Sequence, residues 1–161
     1  MSISKKLMTT GATGVAYVDD VFSTYLYTGT NADQDIVNGV DLDGEGGLVW
    51  LKNRGMDVSH RLIDTERGIS NRLESDTDVQ EYFQQDQFVT AFNSDGFTVG
   101  GSETGANDGT TPSDYASWTF RKAPSFFDIA TFTSTADSTR EIPHNLGVAP
   151  GLVLLKSTSN K

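Results

Sequence analysis

Short runs in which apolar and polar residues alternate at every second position place the tightest limit on how this chain can fold. In Phe88–Phe92, Phe88, Thr90 and Phe92 fall on one side while Val89 and Ala91 fall on the other. In Tyr115–Lys122, Ala116, Trp118 and Phe120 oppose Tyr115, Ser117 and Thr119. A period of two marks a half-buried strand, because successive side chains leave a pleated backbone on opposite faces. Further strands are expected at Val15–Val18, Phe22–Tyr27, Gly47–Asn53, Arg61–Asp64, Gly96–Val99, Phe127–Thr133 and Leu152–Lys156. Helical periodicity is weak; its best window, Asp78–Gln85, is short and polar and predicts one or two turns. Sixteen glycines against four prolines, with many Ser, Thr, Asn and Asp, make the connections tight turns rather than linkers. Strands about 8–12 residues apart between such turns predict an all-β fold, an antiparallel β-sandwich or jelly roll.

Charge and composition remove several function classes. Twelve Lys and Arg against 22 Asp and Glu give a formal net charge of −10. Neither nucleic acid phosphates nor anionic membranes are then the main partner, since both require a basic surface. The absence of cysteine removes disulfides, thiolate metal sites and a cysteine nucleophile together. No apolar run approaches the roughly 18 residues of a membrane span. The N-terminus has two lysines but no apolar core of a signal peptide. Residues 1–14 are small and polar and are expected to form a flexible arm.

The chain also repeats itself. Gly47-Leu48-Val49-Trp50-Leu51-Lys52-Asn53 matches Gly151-Leu152-Val153-Leu154-Leu155-Lys156-Ser157, 104 residues later, and a glycine-containing turn precedes each copy. Upstream, Tyr27-Thr28-Gly29-Thr30 echoes Phe132-Thr133-Ser134-Thr135, and Ile36 echoes Ile142. The organisation expected is therefore the arm (1–14), a β-sandwich module (15–125), and a segment (126–161) that either opens a second repeat or completes the first module. A lone terminal strand can do the latter by pairing with an open sheet edge.

Five motifs in order, GGLVWLKNR, HRLIDTERG, FNSDGFTVG, YASWTFRKAPSFFD and HNLGVAPGLVLLKS, span about residues 18–156. Their succession resembles an uncharacterised module of structural proteins of tailed bacteriophages, often tail-fibre or virion proteins. The resemblance implies an all-β, sandwich-type module, comparable with concanavalin-A-like domains, and a component of the virion surface or tail assembled in the host cytoplasm. It implies as partners other virion proteins (tail hub, adaptor, portal or capsid), further copies of the chain in a homo-oligomer such as a trimer, and a host surface glycan. In that setting residues 1–14 would be the particle anchor. The resemblance carries no active site, so no residue role follows from it.

The residues themselves offer few routes to chemistry. His60 and His144 lack a GxSxG elbow, and Ser59 would point away from His60 across a strand. Both histidines read as structural hydrogen-bonding groups. Asp64 and Glu66 would share a strand face, and a glycosidase pair must flank a sugar about 5–10 Å apart. However, Thr65–Gly68 reads as a turn and the ExDxxE pattern of sandwich-fold glucanases is absent. No catalytic residue is assigned, and the chain reads as a non-enzyme. Asp41, Asp43 and Glu45 alternate as calcium ligands can, although Lys52 stands where an EF-hand needs Glu, and turn chemistry explains the same residues. No other cofactor is implied. Gly100–Gly109 lacks the lysine of a phosphate loop and reads, with its continuation to Ser113, as an exposed surface loop of the kind that carries specificity. Asp108 within it and Tyr115 beside it are the candidate glycan contacts. Tyr25, Tyr27 and Tyr82 could also present a ring at the rim. Trp50 and Trp118 read as core residues.

Overall fold

A computed structural model describes residues 16–83, 87–101, 105–110, 113–135 and 139–159; the expected arm, residues 1–14, lies outside them. The fold is an all-β sandwich of two antiparallel sheets. After one helical turn, α1 (Val18–Val21), come β1 (Phe22–Thr28), β2 (Gln34–Val37), β3 (Gly47–Asn53), β4 (Arg61–Asp64) and β5 (Asn71–Glu74). There follow β6 (Tyr82–Phe83), β7 (Val89–Asn93), β8 (Gly96–Val99) and β9 (Asp114–Arg121). The larger sheet has the order β1-β9-β3-β4-β5-β6, the smaller β2-β8-β7.

Strand β9 is the axis of the larger sheet because both its neighbours pair along most of its length. Phe22–Thr28 runs against Asp114–Phe120, and Gly47–Asn53 against Tyr115–Arg121. The register puts Val49 beside Thr119 and Leu51 beside Ser117, whereas Trp50 lies beside Trp118 on the other face. Burial follows this alternation: Gly47, Val49, Leu51 and Asn53 are buried, and Leu48, Trp50 and Lys52 only half-buried. Val49, Leu51, Ile63, Tyr27 and Tyr115 from the larger sheet meet Ile36, Val89, Phe97 and Val99 from the smaller. Val40 and Leu42 of the β2–β3 connection and Phe88 and Ala106 complete that core. Each large aliphatic or aromatic side chain so enclosed contributes about 1.5–3 kcal/mol relative to exposure.

Several expected elements differ, each for a visible reason. Val18, placed at the end of a strand, begins α1, where the Asp20 carboxylate accepts a bond from the Tyr17 amide (2.8 Å) and Val21 is buried. The polar window at Asp78–Gln85 is not helical among its described residues: Tyr82–Phe83 pairs with β5 instead, and the Arg72 guanidinium sits 4.8 Å over the Tyr82 ring. Phe88 and Val89 are both buried, against strict alternation, because the ladder shifts register between Val89 and Ala91. Strands β2, with one charged residue in four, and β5, with two, show no clean alternation in sequence. Gly96 joins β7 to β8 at φ 155°, and a Cβ there would collide with the Ile36 carbonyl oxygen of β2.

Residues 127–135 and 139–159 form no strand beyond an isolated Ala123–Phe127 bridge. Leu152, Val153, Leu154 and Leu155 are exposed at 78, 70, 77 and 76%. Scattered contacts tie this tail down: Phe127 against the Phe120 ring (5.3 Å), Ser125 N to Leu146 O (2.8 Å), and Asn145 N to an Asp128 carboxylate oxygen (2.6 Å). Near its end, Lys156 Nζ donates to Thr77 O (2.7 Å) and Glu81 N to Thr158 O (3.2 Å).

Candidate functional site

The acidic turn disperses its carboxylates. Asp41 accepts a bond from the Gly44 amide (2.8 Å), Asp43 faces solvent, and Glu45 lies 4.0 Å from Arg121. Asp41 thus serves the turn, and among the described residues no group of three His, Asp or Glu side chains converges as a metal ion would need.

Asp64 and Glu66 also part company. Asp64 is buried and accepts bonds from the amides of Glu66 (3.1 Å) and Arg67 (3.0 Å) and from Arg67 Nε (2.7 Å). Arg67 in turn reaches Glu81 (2.8 Å) and the Leu62 carbonyl (3.2 Å). Glu66 points outward to Lys122, whose ammonium is held above its ordinary pKa by that bond first and by nearby Asp128 and Asp64 charges as well. The two carboxylates therefore do not face a common substrate space.

The proposed glycan contacts behave differently from one another. Tyr115 is fully buried (0% exposed) and stacked on Tyr27, ring centroids 5.1 Å apart, so its ring is closed to any ligand. Its hydroxyl oxygen accepts a bond from the Asp108 amide (3.0 Å), and the Tyr27 hydroxyl donates to Ala106 O (2.7 Å). Burial, reinforced by Tyr115, pushes the Tyr27 phenol well above its usual pKa. The Asp108 side chain accepts from the Thr110 hydroxyl (2.6 Å) and amide (2.8 Å), which hold its carboxyl below the usual range. The described part of the 100–113 loop is braced from the β1–β2 side: Thr30 N donates to Asn107 Oδ1 (2.9 Å) and Gly109 N to Asn31 Oδ1 (2.8 Å). Gly29 is required there, since a Cβ would strike the Asp108 carbonyl.

One surface feature escaped the sequence reading. Trp50 and Trp118, expected in the core, lie on the outer face of the larger sheet, with ring centroids 5.6 Å apart and planes tilted by 58°. With Lys52, His60 and Phe120 they line an open depression of about 270 Å³. The His60 amide donates to Asp76 (2.9 Å), fixing the β4 end of this wall. Lys52, two residues from Trp50 in β3, was the available sign that this face is wet. His144 is exposed in the tail, where its Nδ1 accepts from the Leu146 amide (3.3 Å).

Residues 18–161 match the profile of a domain of unknown function, DUF7483. The chain belongs to the DUF7483 family. The DUF7483 match runs through the sandwich and the exposed tail alike, so both are parts of one family pattern. No curated protein matches the chain, and no solved structure does. Among the described residues of this DUF7483 member, no helix is long and apolar enough to cross a membrane.

Proposed function

We propose that this protein is a non-enzymatic structural component of a tailed-bacteriophage virion, in a tail fibre or a capsid-surface fibre, that works by protein–protein assembly. The observation that carries the assembly reading is the tail: four consecutive aliphatic residues at 70–78% exposure form a surface that water does not favour and a protein partner would. Its placement in a virion rests on the motif succession from GGLVWLKNR to HNLGVAPGLVLLKS. The engagement of Asp41, Asp64, Glu66 and Asp108 in turns and ion pairs supports a module whose polar groups serve rigidity. In this reading residues 1–14 attach the protein to a tail hub, adaptor, portal or capsid, copies associate as a homo-oligomer such as a trimer, and the negative charge keeps it soluble at the particle surface. Mass spectrometry of gradient-purified particles tests it. Peptides of this chain at a fixed ratio to the major capsid protein are expected; their absence from particles, with the chain present in the infected cell, would refute it.

A second reading, recognition of a host surface glycan, is favoured by the Trp50–Trp118 depression, because paired indole faces beside polar Lys52 and His60 suit the alternating apolar and hydroxyl faces of a sugar. A glycan array answers it. Binding lost in Trp118→Ala supports this reading, and no binding at high protein concentration removes it.

A further inference from the structure

We infer that Leu152–Leu155 of one copy adds as a strand to the free edge of β1 in a second copy, so that copies join head to tail through their larger sheets. The inference deepens the assembly reading and takes its bare tail from it. Strand β1 ends the larger sheet, with no further strand beside it among the described residues. Its seven residues pair with β9 without a register shift, and they include neither a charge nor a proline. Folded proteins commonly guard such an edge with a charge, a bulge or a short strand. The other margins have those guards: β6 is two residues long, β2 is four with Asp35 among them, and β7 shifts register between Val89 and Ala91. On β1 the exposed side chains instead lie on both faces. Tyr25 (37% exposed) stands opposite Ser117 on the inner face, and Leu26 (59%) opposite Ala116 on the outer.

A strand laid there must be apolar on both faces, and Leu152, Val153, Leu154 and Leu155 are, each at least 70% exposed. With their flanks they repeat the sequence of β3, which pairs on both sides in this fold. Charge favours the same contact. Residues 151–161 hold two lysines and no acid, which leaves 10 Lys and Arg against 22 Asp and Glu, a charge of −12, in residues 1–150. Asp19 and Asp20 precede β1, and Asp114 flanks its other end. The tail cannot fill the edge of its own copy. Lys156 Nζ bonds to Thr77 O and Glu81 N to Thr158 O, at the β5–β6 end of the sheet. Five strand spacings, about 24 Å, separate β6 from β1, and the four residues from Leu152 to Lys156 span at most about 14 Å. Donor and acceptor therefore lie at opposite margins, an arrangement that passes a strand from each copy to the next.

Sedimentation velocity and amide hydrogen exchange on the 161-residue chain test this. Mass is expected to rise with concentration beyond the dimer, and exchange to slow on the order of 10-fold or more at Leu152–Leu155 and β1 together. Two variants each remove one half of the contact at exposed positions: Leu26→Lys on the edge, and Val153→Asp with Leu155→Asp on the tail. Each alone should stay monomeric where the unaltered chain associates. An equimolar mixture should form heterodimers and nothing larger, because one intact tail meets one intact edge. Thr24→Lys, exposed on the same face of β1, repeats the edge readout if Leu26→Lys folds poorly. A chain monomeric at every concentration, one that stops at dimers, or a mixture as monomeric as its parts would overturn the inference. So would lost stability of the tail variant in dilute solution, which would show the tail already packed on its own sandwich. Failure here leaves incorporation into particles, read by mass spectrometry, untouched, and absence from particles leaves self-association untouched.

Discussion

Replacing Asp64 by alanine separates a structural carboxylate from a chemical one. Its side chain is 4% exposed against Arg67 at 9%, and one carboxylate oxygen takes two backbone amides while the other takes the guanidinium. Removing it strands two amides and leaves Arg67 with Glu81 and the Leu62 carbonyl alone. Breaking one side of such a buried pair costs about 3–5 kcal/mol, a large part of the roughly 5–15 kcal/mol that holds a domain folded. At about 2–4 °C per kcal/mol for a chain of this size, Tm should fall by about 6–20 °C. Glu66→Ala is the matched control: its ion pair with Lys122 is solvent-exposed on the acid's side, and such pairs contribute about 0–1 kcal/mol. Urea unfolding followed by both circular dichroism and tryptophan fluorescence gives the two values on one scale. If Asp64→Ala costs no more than Glu66→Ala, the Asp64 carboxylate does not hold the β4–β5 turn, and the assignment of this pair to structure fails.

Other consequences can be measured alongside. Leu51→Ala, at a fully buried position, should cost about 2–5 kcal/mol, whereas Leu155→Ala, its counterpart in the tail, should stay within about 0.5 kcal/mol; equal effects in chemical denaturation would contradict the exposed tail. Tyr115→Phe removes the hydroxyl that accepts from the Asp108 amide and should cost about 1 kcal/mol, with faster amide exchange at Asp108 and no loss of any glycan binding; lost binding would return Tyr115 to the ligand surface. The Tyr27 phenol has a raised folded-state pKa, so the folded chain retains a proton that the unfolded chain loses near pH 10. Its contribution is complete below that pH and declines above it, in the same direction as that of Lys122. Burial also raises the pKa of Tyr115, stacked on Tyr27, so tyrosinate absorbance should show two tyrosines resisting ionisation in the folded chain; ionisation of every tyrosine before unfolding would contradict their burial.

The sequence made the sheet legible wherever alternation was clean and glycines marked the ends. Gly47–Asn53 and Gly96–Val99 stand in the structure with the limits read from sequence, and β9 is displaced by one residue. Gln34–Val37 was not legible because a polar Gln34 and a charged Asp35 occupy half of its four residues, and Asn71–Glu74 because it carries two charges, one of which, Glu74, is buried in an ion pair with Arg61. The two tryptophans were misjudged for a different reason. Bulk and apolarity say only that a ring prefers cover, and the face it occupies follows from cross-strand register, which pairs Trp50 with Trp118 away from Val49 and Leu51. Tyr115, odd-numbered against Trp118 in the same strand, had to lie on the opposite face, and that parity was the signal that it was buried. In Leu152–Lys156 strand propensity was legible, but a strand exists only where a partner offers its backbone, and no local pattern reports that.

Hydrogen exchange across residues 47–53 and 151–157, read side by side in the dilute 161-residue chain, tests the central claim most directly. Two nearly identical segments should behave in opposite ways. The amides of β3 that bond to β4 and β9 should exchange only through large-scale opening, while those of Leu152–Leu155 exchange at nearly the rate of an unstructured peptide. Slow exchange in both segments at concentrations where the chain is monomeric would show the tail already paired, and would contradict the account.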